Sequence, residues 1–323
     1  DPLMRPICAR YGLVDDGQTA VIEMAEASGL TLLSEEERNP LKTSTYGTGQ
    51  LIADALARGC RKILVGIGGS ATNDAGMGIL SALGYRFLDA DGNELQPCGA
   101  NLSAVQTIDD TKVQDIVKEA KYTIACDVDV PFCGPNGAAY TFAAQKGAYK
   151  DMINILDKGM HHFADIILKH YGINIKNIPG AGAAGGVGGS LMAVLNANLK
   201  RGIDIILNTI NFEKQIEDCN LVITGEGHID HQTMMSKAPS GVLRIAQKKG
   251  IPVIALGDPF QLPPIHEDNG VLAHPHIFLD EIMRQAQDSE IIRLSMDIRA
   301  GKPLSLSKGK DVWVVQKETI SDR

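Results

Sequence analysis

The stretch Lys62-Ile-Leu-Val-Gly-Ile-Gly-Gly-Ser-Ala-Thr-Asn-Asp74 decides the fold. Its first half is a short apolar run of the kind that lies buried in a sheet. Its second half crowds glycine against Ser70, Thr72, Asn73 and Asp74, and a helix is expected from about residue 75 to Leu83, ended by Gly84. A strand, a glycine-rich loop and a helix in that order point backbone N–H groups and a helix dipole at one place, which suits an anion. Gly68, Gly69, Ser70, Asn73 and Asp74 are therefore candidate site residues. Gly66-x-Gly68-x-x-Ala71 also matches the dinucleotide fingerprint, with Asp89 about twenty residues further on. A glycine turn that only packs a helix on a sheet would give the same text.

Upstream, two apolar runs flank Asp15-Asp16-Gly17, the signature of a β-hairpin. Thr45 or Thr48 can cap a helix that buries Leu51, Ile52, Ala55 and Leu56 and stops at Gly59. Downstream, Asp91-Gly92 predicts a second hairpin beginning at Tyr85, and residues 122–126 predict another strand. An amphipathic helix is expected over 152–170 and a further one over 190–201. Residues 203–207, 221–224 and 252–256 read as buried strands, with a helix over 239–249, so a βαβα rhythm closes this part. Glu23 and Glu94 fall in hairpins away from the loops and are expected to take no part in chemistry.

Composition narrows the classes. With 323 residues, 44% of them hydrophobic, the chain can bury a core without metal or disulfide staples. A net charge of −8 without a dense basic stripe argues against nucleic acid as a partner. No apolar run reaches the roughly 18 residues of a membrane span, and no signal peptide opens the chain. The six cysteines show no CxxC pair or zinc spacing, as expected of reduced thiols in a cytoplasmic protein. The opening Asp1-Pro2 reads as a point inside a longer protein.

Two more loops carry candidate chemistry. Residues 180–189 are rich in glycine, and Gly182, Gly185 and Gly186 can expose N–H groups at a helix start, although no lysine makes this a P-loop. Thr224-Gly-Glu-Gly-His-Ile-Asp-His follows a strand, where open α/β sheets place ligands. Gly225 lines it, Glu226 and Asp230 offer carboxylates for Mg²⁺ or a base, and Lys237 offers a cation for phosphate. His228 and His231 read as loop histidines. Asp127, after the strand at 122–126, and Lys146 in Gln145-Lys146-Gly147 complete the set.

In order, Tyr46-Gly-Thr-Gly, Gly66-Ile-Gly-Gly-Ser-Ala-Thr-Asn-Asp, Ala125-Cys-Asp-Val, Gln145-Lys-Gly-Ala, Pro179-Gly-Ala-Gly-Ala-Ala-Gly-Gly and Ile223-Thr-Gly-Glu-Gly-His-Ile-Asp-His-Gln-Thr resemble the type-1 glycerate kinase family from the N-terminus to about residue 256. The resemblance implies an α/β fold in which a mixed-sheet domain, 1–202, is inserted into a partial Rossmann-like domain, 203–256. It implies ATP and Mg²⁺ as cofactors, D-glycerate as substrate, phosphorylation between the domains, and a possible homodimer. The family's opening strand and basic loop and its closing segment have no counterpart here, and Ser236-Lys237 stands where the family usually has Gly-Lys. Within that reading Asp230 or Asp74 is the base, Glu226 the Mg²⁺ ligand, and Lys146 or Lys237 the phosphate clamp. An NAD-dependent oxidoreductase of a small hydroxy acid is the rival function.

After Gly257 the text changes. Gly257-Asp-Pro-Phe-Gln-Leu-Pro-Pro and Leu279-Asp-Glu-Ile-Met-Arg resemble two motifs of superfamily-1 DNA helicases, in which Gln261 and Arg284 would meet a γ-phosphate. No Gly-x-x-x-x-Gly-Lys accompanies them. Residues 257–323 are thus expected to be a foreign segment, and the chain an inactive fusion if that segment disturbs the enzyme.

Overall fold

The computed structural model describes residues 1–226 and 238–256 together with two short strands near the C-terminus. It separates into two compact units, Asp1–Gln215 and Ile216–Arg323.

The first unit is built on a five-stranded mixed sheet of order β1-β2-β3-β6-β7. Strands β1 (Gly12–Val14) and β2 (Thr19–Glu23) form the expected antiparallel hairpin around Asp15-Asp16-Gly17. A short helix α1 (Ala25–Ser28) and the longer α2 (Tyr46–Ala57) lead to β3 (Lys62–Gly66), which runs parallel to β2. In β3 the side chains alternate, with Ile63 and Val65 buried on one face and Leu64 half-buried on the other. Each fully buried aliphatic side chain contributes about 1.5–3 kcal/mol, which seats this strand in the middle of the sheet. Helix α3 (Met77–Ala82) follows, and β4 (Arg86–Leu88) pairs with β5 (Thr107–Asp109) before α4 (Asp115–Glu119) and β6 (Lys121–Ala125). Strand β6 lies parallel to β3 and repeats its alternation, burying Tyr122 and Ile124. Helices α5 (Ala138–Phe142), α6 (Lys150–Tyr171) and α7 (Ala183–Leu195) cross over to the edge strand β7 (Asn198–Lys200), and α8 (Gly202–Thr209) and α9 (Phe212–Gln215) end the unit. Helix α6 buries one stripe, including Leu156, Met160, Phe163 and Ile167, against α5, α7 and the 3-10 segment Gly99–Ala104.

In the second unit β8 (Val222–Gly225) and β9 (Val253–Leu256) pair in parallel and α10 (Ala238–Lys248) packs on both. A two-residue ladder joins β10 (Ser307–Lys308) to β11 (Trp313–Val314).

Three local expectations are corrected. The second hairpin is only a turn: after Asp91-Gly92 a single bridge joins Leu88 to Glu94, and β4 takes β5 as its partner. Pro97 stops a returning strand, whereas Ile108 supplies an apolar side chain opposite Phe87. The helix expected over 190–201 follows a left-handed kink at Ala184, Gly185 and Gly186 and stops where Asn196 turns left-handed, which frees Leu199 for an edge strand. The apolar run 203–207 is helix α8, because Asp127 accepts a hydrogen bond from the Gly202 N–H at its first turn. Residues 202 and 203 open α8, within the unit Asp1–Gln215. The helicase-like motifs around Gln261 and Arg284 lie outside the described residues.

Candidate functional site

Strands β2, β3, β6 and β7 run parallel, so their carboxyl ends share one edge of the sheet. From that edge the loop 66–76 emerges. The segment after β2 runs alongside it: the Met24 N–H donates to the Gly66 carbonyl, Leu30 N–H to Gly69, and Ala71 N–H to Ser28, each at 2.9 Å. Gly69 adopts φ +69°, where a side chain is strained, and Gly68 and Gly69 are exposed. Among the described residues nothing accepts a hydrogen bond from the N–H groups of Gly68, Gly69 or Ser70. Three successive donors around a left-handed residue make a concavity for an anion.

Lys146 lies directly beneath this loop. It is 2% exposed, and its Nζ donates to Ser70 Oγ at 2.9 Å and to the Thr72 carbonyl at 2.6 Å. Burial holds its pKa down to about 7, with the charge of Asp74 acting against the shift. The ammonium is therefore poised to be completed by a negative charge brought to the loop.

Asp74, expected as a base, is fully buried. Its Oδ2 accepts from the Thr45 N–H (2.7 Å), the Thr45 hydroxyl (2.8 Å) and the Gly78 N–H (3.1 Å), and its Oδ1 from the Gly76 N–H (3.2 Å). Burial raises its pKa, and these donors oppose the rise. With no face turned to solvent, Asp74 brackets the N-termini of α2 and α3. Asn73 is also buried: its amide donates to Met160 Sδ at 3.1 Å, and its Oδ1 has no partner.

The loop 180–189 lies against the first loop. Gly182, Gly185 and Gly186 are buried, the first two against backbone and Gly186 against the side chains of Met160 and Phe132. A Cβ on Gly185 would lie 2.3 Å from the Thr72 carbonyl oxygen, and one on Gly182 would lie 2.1 Å from that of Pro131. The Ala75 N–H donates to the Gly185 carbonyl at 3.0 Å. These glycines let the second loop lie flat against the first and support it from behind.

Asp127 is exposed at the end of β6, with Oδ1 accepting from the Gly202 N–H at 2.7 Å. Glu23, set aside by the sequence reading, ends β2 directly beside Gly66. The hairpin pattern shows that β2 pairs with β1 and carries no sign that its other edge meets β3. Gly225 and Glu226 belong to the second unit, where the Glu226 N–H donates to the Leu256 carbonyl at 3.1 Å and the side chain is half-buried. Asp230 and Lys237 lie outside the described residues. Among the described residues no group of three His, Cys, Asp or Glu stands together. No described helix is long and apolar enough to cross a membrane.

The dinucleotide fingerprint is not realised. Helix α3 starts only at Met77, and Asp89 spends Oδ1 on the N–H groups of Asp91 and Asn93 within its own turn. A cavity of about 930 Å³ lies between residues 1–13 and α2, and none of the expected site residues lines it.

The chain is 49% identical to a glycerate kinase of Bacillus subtilis over 255 residues, covering 79% of this chain and 67% of that protein. It is 44% identical to a glycerate 2-kinase of Escherichia coli over 311 residues, covering 93% of this chain and 80% of that one. A crystal structure provisionally assigned as glycerate kinase 2 of Salmonella typhimurium LT2 superposes with TM-score 0.72 at 42% identity, covering 79% and 68% of the two chains. The family model, described as the glycerate kinase family, matches residues 1–273 and so runs past the junction expected at 256. The helicase-like reading of 257–323 gains no support from these matches. A mixed α/β sheet, an anion-ready loop over a buried lysine and a match across most of the sequence converge on one assignment: the chain belongs to the glycerate kinase family.

Proposed function

We propose that this chain transfers the γ-phosphoryl group of ATP to a hydroxyl of D-glycerate. The observation that carries the reading is the set of free N–H groups at Gly68, Gly69 and Ser70 above the buried Lys146. Phosphoryl transfer needs positioning and charge neutralisation more than covalent chemistry, and such a preformed array supplies both. The name of the Escherichia coli relative supports the 2-hydroxyl as acceptor.

In this reading the loop 66–70 and Lys146 hold an anionic group of the substrates. Asp74, Thr45 and the loop 180–189 keep those donors in place without touching substrate. Mg²⁺ in kinases is held by phosphate oxygens and one or two carboxylates, so it needs no protein cage, and Glu226 is the proposed protein ligand. Lys237 and Asp230 join it after β8, with Asp230 the sequence's candidate for the base. The inserted-domain organisation, with the first unit as the insert, belongs to the same proposal.

An ADP-coupled assay with D-glycerate and MgATP tests the reading. Turnover by the parent and its loss in Lys146→Met are the expected results. No ADP release with glycerate or related hydroxy acids would reject it.

A further inference from the structure

Resting on that kinase reading, we infer that Glu23 is the carboxylate that accepts the proton of the attacking substrate hydroxyl, because it stands unpartnered beside Gly66 at the foot of the anion loop.

Its position is set by strand pairing. Glu23 is the last residue of β2 and lies in register with Gly66, the last residue of β3. The two carboxylate oxygens sit 2.7 and 2.8 Å from the place a Cβ on Gly66 would occupy, so the side chain lies across the end of β3, where a Cβ at residue 66 would push the carboxylate aside. The three hydrogen bonds between segments 24–30 and 66–71 then hold its backbone fixed relative to the loop.

Its electrostatic state is the second observation. Among the described residues the Glu23 side chain, exposed at this edge, makes no hydrogen bond or ion pair. The other acids along this edge are engaged. Asp74 accepts four donors, Asp127 accepts the Gly202 N–H, Asp129 pairs with Arg201 at 3.5 Å, and Glu26 accepts the Arg10 N–H at 3.2 Å. Glu23 alone among these five has neither carboxylate oxygen engaged.

The substrate class supplies the fit. A hydroxy acid carries a negative carboxylate and a neutral hydroxyl a few bonds apart, so its site needs N–H donors and one acceptor close together. Gly66 and Gly68 are two residues apart, at most about 7 Å of chain. With the substrate carboxylate on the free N–H groups of Gly68 to Ser70, its hydroxyl falls toward Glu23. As the hydroxyl oxygen forms its bond to the γ-phosphorus and the bond to the ADP oxygen breaks, the hydroxyl proton passes to the Glu23 carboxylate and from there to water. Asp230 is not required for this step.

The experiment is Glu23→Gln in the purified protein, with kcat, KM for each substrate and the pH profile measured beside the parent. A general base contributes about 10²–10⁴-fold, so kcat should fall at least a hundredfold while KM for MgATP stays within about twofold. The acid-side decline of kcat in the parent should vanish in the variant. Because the Glu23 side chain bonds to nothing among the described residues, the urea midpoint should not move, and a structural role would move it. Near-parental kcat with an unchanged pH profile would overturn the inference while leaving the kinase reading intact. A parent that turns over no glycerate would remove that reading and the inference with it.

Discussion

Lys146 permits a quantitative test, because its burial ties stability and ligand binding to one proton. In the unfolded chain its pKa is 10.5, and in the folded protein it lies near 7. Between those values the unfolded state binds the extra proton, so folding stability must rise with pH across this window, at about 1.4 kcal/mol per pH unit for one group. Keeping the ammonium charged in the fold costs about 5 kcal/mol by the same conversion. The hydrogen bonds to Ser70 and Thr72 offset part of that. Lys146→Met removes the titrating group and leaves the other ionisable groups in place, including Cys133, whose thiol burial pushes up to about 11 and which acts in the opposite sense at higher pH. The difference in urea stability between parent and variant, followed by circular dichroism, should therefore shift by about 1.4 kcal/mol in the parent's favour between pH 7.5 and 8.5. A difference that moves by less than about 0.4 kcal/mol would show that Lys146 is not a buried cation with a depressed pKa. Ligand binding should show the mirror image. An anion at the loop restores the charged form, so the parent takes up a proton on binding and its KM for the anionic substrate rises above pH 7, while binding to the Met variant takes up no proton.

Three further outcomes follow from the same geometry. Asp74→Asn presents an amide to donors that need an acceptor, and should cost about 3–5 kcal/mol in urea stability together with turnover, whereas Thr45→Val should cost about 1–2 kcal/mol. Gly185→Ala forces a side chain into φ +70° and against the Thr72 carbonyl, so stability should drop by at least about 2 kcal/mol. By contrast Gly68→Ala meets nothing within 4 Å, and should leave stability within about 0.5 kcal/mol while raising KM.

Much of the first unit was legible because its signals are local. Asp15-Asp16-Gly17 joined β1 to β2, the run 62–66 lay in the sheet centre, and the stripe of α6 matched its buried face. The motif order also pointed to the family. Local patterns failed where two readings shared one composition. The run 203–207 is as apolar as a buried strand, and a capping carboxylate 75 positions earlier in sequence made it a helix.

By itself the sequence determined the hairpin, the central strand, the long amphipathic helix and the family, since each is written in neighbouring residues. Tertiary structure decided which polar groups serve and which support. Glycines at 68 and 185 look alike as text, yet one opens to solvent and the other lies against a carbonyl. Asp74 and Glu23 are both carboxylates, yet one is sealed under four donors and the other stands free beside Gly66. The physical reason is that desolvation and partner count are set by what strand pairing and loop packing bring from far along the chain. No window of adjacent residues contains that information.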